Sequence, residues 1–283
     1  MKKPTIHQLN PQLLISYGFD INNMSDVKTY TGKKLDALQR DLLRKAFERV
    51  PEQEAKGIAK NQLIDFSTGV AVQAYPSVWF VLSELRLAKK PTGVSVSVKT
   101  SDGVNVAFRR PSLSGSDRGG LGCIESFLHQ EKAGTISDLL RVNLFGDDGA
   151  GTETGFSLRE VDSFQAKFYV DAIDQKEIVA TAQLKITADE LLERRSSAKS
   201  THQPNQLVGK DLLFLTDAQV RRLIPYVRGA AQHLVALIAP QLSTPEGEEV
   251  FATIRIPEYD RNEAWEGLAP TLSELGIPHP LLS

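Results

Sequence analysis

Four residues in this 283-residue chain have the types and spacing to act together on a phosphate. They are Asp147 and Asp148 in "FGDDGAGTETGF", and Gln165 and Lys167 in "VDSFQAKFYV". Restriction-type nucleases place a carboxylate on one strand and a Glu/Gln-x-Lys string on the next, so that acid, metal and lysine converge. The bland reading stands beside it. In the hairpin that alternation predicts here, Lys167 falls opposite Gln183 and beside Gln165 and Lys185. Any solvated sheet face looks like that, and the string is short, so the nuclease is the second reading.

Asp147, Asp148 and Glu153 also raise a metal site, because clustered carboxylates on a glycine-rich loop suit hard cations. The alternate-position spacing of an EF-hand is missing, and an acidic, glycine-rich tip is also a common way to keep a turn soluble. The preferred reading is a soluble turn with no metal and no cofactor.

The densest glycine stretch is "SLSGSDRGGLGC", residues 112–123. Gly115 and Gly120 have Walker spacing, but Leu121 and Gly122 stand where Lys and Ser/Thr must be. The G-x-G-x-x-G fingerprint fails as well, and the stretch follows an antiparallel hairpin rather than a parallel strand. It reads as a surface loop.

Arg109 and Arg110, with Arg118 in that loop, form the best candidate patch for a nucleic-acid backbone. The formal charge of −2 supplies no global attraction, so such binding needs a local patch. No aromatic residue is interleaved with these arginines for base stacking. His7, His129, His202, His233 and His279 are scattered without metal-ligand spacing. His129 and Glu131 lie close, as a surface pair would. Cys123, the single cysteine, excludes an intramolecular disulfide and reads as a small buried apolar residue.

The elements that must position these groups follow from periodicity. Leu35, Leu38, Leu42, Leu43, Ala46, Phe47 and Val50 make one apolar stripe on a helix over 33–50, which Pro51 stops. A second helix is expected after Ser77, with Val78, Val81, Leu82 and Leu85 inward; whether the adjoining Trp79 and Phe80 are buried is left open. "VSVSVKTSDGVNVAF" is a hairpin whose turn is decided by parity. A three-residue loop, Ser101-Asp102-Gly103, pairs Val98 with Val106 and Val96 with Phe108, so both valine sets share a face.

A second hairpin alternates Phe164, Ala166, Phe168 and Val170 against Ile178, Ala180, Ala182 and Leu184. An odd-length loop around Asp174-Gln175-Lys176 would pair Val170 with Ala180 and Phe168 with Ala182. Thr187 with Glu190, and Thr216 with Gln219, are capping boxes that open helices. The second of these leads into a helical stripe running from Val220 to Ile238. Residues 196–206 read as a linker, and Val250, Ala252, Ile254 and Ile256 as a late strand.

The expected fold is α+β, an antiparallel sheet of long hairpins with N-terminal and C-terminal helices packed on it. Residues 1–92 form a helical part, 93–195 the hairpin region, and 196–283 a helical part with one late strand, all in one composite domain. Hydrophobic residues make up 41% and charged residues 24%, as in soluble proteins. No secretory signal or membrane-length apolar run is read, which fits a cytoplasmic protein or one carried by a phage or mobile element. The expected function is non-catalytic: a binding or assembly protein with protein partners or copies of itself first and RNA or DNA second.

Overall fold

The structure is a computed structural model that describes residues 5–56, 60–64, 71–78, 81, 84–85, 91–109, 121–128, 134–145, 156–171, 176–197 and 212–223. Trp79, Phe80, the stripe beyond Leu223 and the late strand at 250–256 lie outside them. The fold is α+β, with a mixed sheet rather than the antiparallel one expected.

The N-terminal helices are set by local capping. α1 (Met24–Thr31) begins where the Asn23 side chain accepts from Ser25 N, and it ends at Gly32, whose φ of 73° is left-handed. α2 (Ala37–Glu48) opens on a capping box made by Asp36 and Gln39. It starts later than the 33–50 stripe suggests because Asp36 is the residue able to cap. α3 (Val50–Ala55) follows at once with Pro51 in its first turn, where the missing N–H is harmless. Pro51 thus opens a helix instead of only closing one.

Beneath these helices Tyr30, Leu35, Leu43 and Val50 form a core with Tyr75, Val78 and Leu85. Leu85 N donates to Val81 O, one turn of the helix expected after Ser77. Residues 1–92 also hold strands. β1 (Thr5–Gln8) joins the main sheet, while β2 (Leu14–Ser16), β3 (Asn61–Ile64) and β4 (Ala71–Pro76) make a three-stranded sheet of order β2-β4-β3. β4 serves two cores: Val72 and Ala74 enter the main one and Tyr75 the helical one.

The main sheet runs β1-β9-β10-β5-β6-β11, with β7 on β6 and β8 on β5. Its remaining strands are β5 (Gly93–Lys99), β6 (Asn105–Arg109), β7 (Leu121–Gly122), β8 (Ile124–Phe127), β9 (Val161–Asp171), β10 (Lys176–Leu184) and β11 (Leu212–Leu215). β10 lies parallel to β5, Ala180 beside Val96, and this pairing makes the sheet mixed. Neighbouring hairpins are joined by distant contacts, so hairpin-level reading has no access to their relative direction. Central strands buried on both faces are usual where pairing is parallel. Ser95 and Ser97 are accordingly as buried as Val94, Val96 and Val98.

The first turn is as expected. Gly103 has φ 86°, its N–H donates to Thr100 O, and Val98 pairs with Val106. The next expected rung does not form: Val96 pairs with Ile124, not Phe108. β5 and β6 fork beyond Val98, and the returning segment fills the fork, β7 against β6 and β8 against β5.

The second hairpin corrects the expected register. Asp171 pairs with Lys176, so an even number of residues separates the partners where an odd one was expected. Phe168 therefore stands opposite Val179 rather than Ala182, while Ala166 stands opposite Ala180, which makes Lys167 the extra residue of a β-bulge. Asp162 is the extra residue of a second irregularity. Each extra residue flips the parity of β9, so the core face takes Val161, Phe164, Ala166 and Tyr169. Phe168 and Val179 are buried on the opposite face.

α4 (Ile136–Phe145), to which the sequence reading assigned no element, covers the core face with Ile136, Leu139, Leu140 and Leu144. α5 (Ala188–Ser197) and α6 (Asp217–Leu223) start on the two expected capping boxes, Thr187 with Glu190 and Thr216 with Gln219. Among the described residues no helix is long and apolar enough to cross a membrane.

Candidate functional site

Asp147, Asp148 and Glu153 lie outside the described residues, as do Arg110, Arg118, His129, Glu131, His202, His233 and His279. Gln165 is exposed on β9 opposite Thr181. Lys167 sits at the bulge and does not face Gln183, which pairs with Ser163 instead. Among the described residues no three His, Cys, Asp or Glu side chains come together to hold a metal.

Arg109 ends β6, paired with Leu121 of β7. Cys123 stands between β7 and β8 and is buried, as its isolation in the sequence suggested.

The polar group that the fold assembles was not visible in the sequence. The registers place Ser163, Gln183, Lys99, Asn105 and Leu215 on one rung across β9, β10, β5, β6 and β11. Lys99 Nζ lies 2.9 and 2.8 Å from Asp217 Oδ1 and Oδ2, tying the first turn of α6 to the sheet. Asn105 Nδ2 donates to Leu215 O at 3.0 Å and to Asp217 Oδ1 at 2.8 Å. Both partners are acceptors, which fixes the orientation of the amide. Asn105 Oδ1 is then left buried without a donor. Gln183 Nε2 donates to Thr100 O at 2.7 Å. No single segment announces this group; its hydrogen bonds exist because β5, β6, β10, β11 and the start of α6 meet.

Two further polar contacts hold strands together. Ser95 Oγ donates to the buried Glu177 carboxylate across the parallel β5–β10 pair. On the other side His7 stacks on Tyr169, with ring centroids 4.7 Å apart, and Lys176 Nζ lies 5.5 Å from the Tyr169 centroid. This stack fastens the edge strand β1.

Glu160 joins the start of β9 to α5. Burial works to raise its pKa, but donation from Ser157 N and Oγ and the Arg194 guanidinium at 3.0 Å outweigh it, and the carboxyl is held down at about 2. Each of these contacts joins one element to another.

Among the described residues several large apolar side chains are exposed, Leu14, Met24 and Val142 among them, and two of them adjoin on α2. The stripe on α2 is wider than its core: Leu43 is buried, while Leu38 is 71% and Leu42 is 38% exposed, one turn apart. No protein-family model matches the chain, and no curated protein is found to be similar to it.

Proposed function

We propose that this is a non-catalytic assembly protein whose first partner is a second copy of itself, with RNA or DNA as a second kind of partner. The observation that carries the reading is the outward extension of the α2 stripe. Leu38 and Leu42 stand on a helix with a complete capping box, so their exposure is not that of a frayed end. Burying an exposed leucine is worth about 1.5–3 kcal/mol. Such residues side by side on a rigid helix favour an apolar partner. A two-fold contact is self-complementary, because an antiparallel α2 pair sets Leu38 of one copy against Leu42 of the other.

The test is the mass of the purified protein by light scattering, with the absorbance ratio at 260 and 280 nm read on the same peak. A defined oligomer that Leu38→Glu with Leu42→Glu returns to monomer supports the reading, provided the circular dichroism is unchanged. A monomer at every concentration, or an oligomer indifferent to the double substitution, refutes the α2 contact. A high ratio that nuclease treatment removes identifies nucleic acid as the partner, and substitution of Arg109 and Arg110 by Ala then asks whether the basic hairpin holds it.

A further inference from the structure

We propose that Asp102–Gly103, in the turn between β5 and β6, is a site of spontaneous isoaspartate formation whose rate is set by the docking of α5 on that turn. The proposal uses neither the α2 stripe nor a partner molecule, so the two readings fail separately.

The chemistry is that of the aspartyl–glycine bond. With the Asp102 carboxyl neutral, the Gly103 backbone nitrogen attacks Cγ, and the hydroxyl leaves with the amide proton as water. The product is a five-membered succinimide. Water then opens the ring at one of its two carbonyls. Breaking the bond from nitrogen to Cγ restores aspartate. Breaking the bond from nitrogen to the main-chain carbonyl carbon gives isoaspartate, with the chain running through Cβ. One water is lost and one regained, so no other reactant is needed.

The surroundings suit this reaction. Ser101, Asp102 and Gly103 are all exposed, so water reaches the turn. Gly103 has no side chain to crowd the attacking nitrogen. Beyond its chain neighbours nothing lies within 4 Å of where its Cβ would stand, which leaves room for the ring.

The fold, however, holds both reacting groups. Gly103 N donates to Thr100 O at 2.9 Å, so the nitrogen is occupied in the turn. Asp102 Oδ1 accepts at 3.1 Å from Ala188 N, the first amide of α5. A helix start leaves that amide without an intrahelical partner, and the Thr187 hydroxyl is spent on Glu190 N. Ser101 N donates to Ile186 O at 2.8 Å, a second tie between the turn and the chain entering α5. A hydrogen bond with the Thr100 side chain, helped by the Asp102 and Ala188 amides, keeps the carboxyl below its ordinary range. It is thereby held in the charged form, which is a poor source of leaving water.

Isoaspartate in turn undoes the docking. The length of this loop fixes which residues pair across the hairpin, and isoaspartate lengthens the main chain by one atom. It also moves the free carboxylate from Cβ to Cα, away from Ala188 N. Docking restrains the reaction, and the reaction once made releases the docking.

The test is to incubate the full chain at neutral pH and quantify isoaspartate at residue 102 by peptide mapping with electron-transfer fragmentation. Wild type unfolded in guanidinium chloride should convert fastest and folded wild type slowest. Ala188→Pro deletes the donor at a position where a helix accepts proline. Folded by circular dichroism, it should convert about tenfold faster than wild type, the low end of what a hydrogen bond to a charged group is worth. Ser101→Pro suits the second position of the turn but cuts the bond to Ile186 O. It should also convert faster, and it decides the matter where Ala188→Pro does not fold.

Absence of isoaspartate at 102 in the unfolded chain would remove the site. Equal rates in folded and unfolded wild type, or folded proline variants no faster than wild type, would overturn the control by docking. Asp102→Glu, one methylene too long for the five-membered ring, should give no signal in any state. A signal that persists in it comes from another residue and overturns the assignment.

Discussion

Phe168 lies opposite Val179, whereas the next rung joins Ala166 to Ala180, so the hairpin of β9 and β10 changes parity at Lys167. That one extra residue lets Tyr169 reach the core while Phe168 is buried on the other face. Deleting Lys167 should force either Phe168 or Tyr169 onto the wrong face. Loss of one large buried side chain costs about 3–5 kcal/mol, so the deletion variant should unfold at much lower urea than wild type. Retention of the wild-type midpoint would show that β9 is not bulged there.

The polar rung makes an unequal prediction for its members. Asp217→Ala leaves the buried Asn105 amide with one acceptor fewer and strips Lys99 of its partner. A loss of about 1–3 kcal/mol is expected in urea titration. Lys99→Ala removes only a part-exposed ion pair, and its cost should stay within about 1 kcal/mol. Equal losses would mean that the ion pair, not the Asn105 hydrogen bond, is the main fastening.

Glu160 predicts a pH dependence. Its carboxyl is held at about 2, below the ordinary 4.5, so the folded state favours the charged form. Stability from this group is fully present above about pH 4.5 and is lost as the pH falls toward 2. Its carboxylate is 20% exposed and Arg194 is 46% exposed, so solvent trims the effect to roughly 2 kcal/mol. Thermal melts of Glu160→Gln between pH 2 and 5 should show a shallower slope than wild type. An unchanged slope would place the acid sensitivity elsewhere.

Tyr30 closes the N-terminal core. Its hydroxyl donates to Pro76 O at 2.9 Å and accepts from Val78 N at 3.3 Å, and burial pushes its pKa well above the ordinary 10.0. Tyr30→Phe should cost about 1–3 kcal/mol by orphaning Val78 N. The raised pKa has a second consequence: stability from Tyr30 is complete below pH 10 and falls as the pH rises beyond it. Alkaline unfolding should therefore begin at higher pH in the Phe variant, relative to its own neutral stability.

The features that the sequence determined alone are those in which cause and effect lie within a few residues. Gly103 can take a positive φ, and valine parity on either side chooses the three-residue turn. Thr187 with Glu190 and Thr216 with Gln219 bond to each other's backbone, so their spacing is sufficient to mark helix starts. The α2 stripe is equally local, although its exposed portion is not: Leu38 and Leu43 are alike in pattern, and only packing separates them. Tertiary structure decided the bulge at Lys167, the fork filled by β7 and β8, the parallel meeting of β5 with β10, and the rung that brings Lys99 and Asn105 to Asp217. A period-two pattern is satisfied by more than one register, and which register wins depends on side chains that arrive from far along the chain.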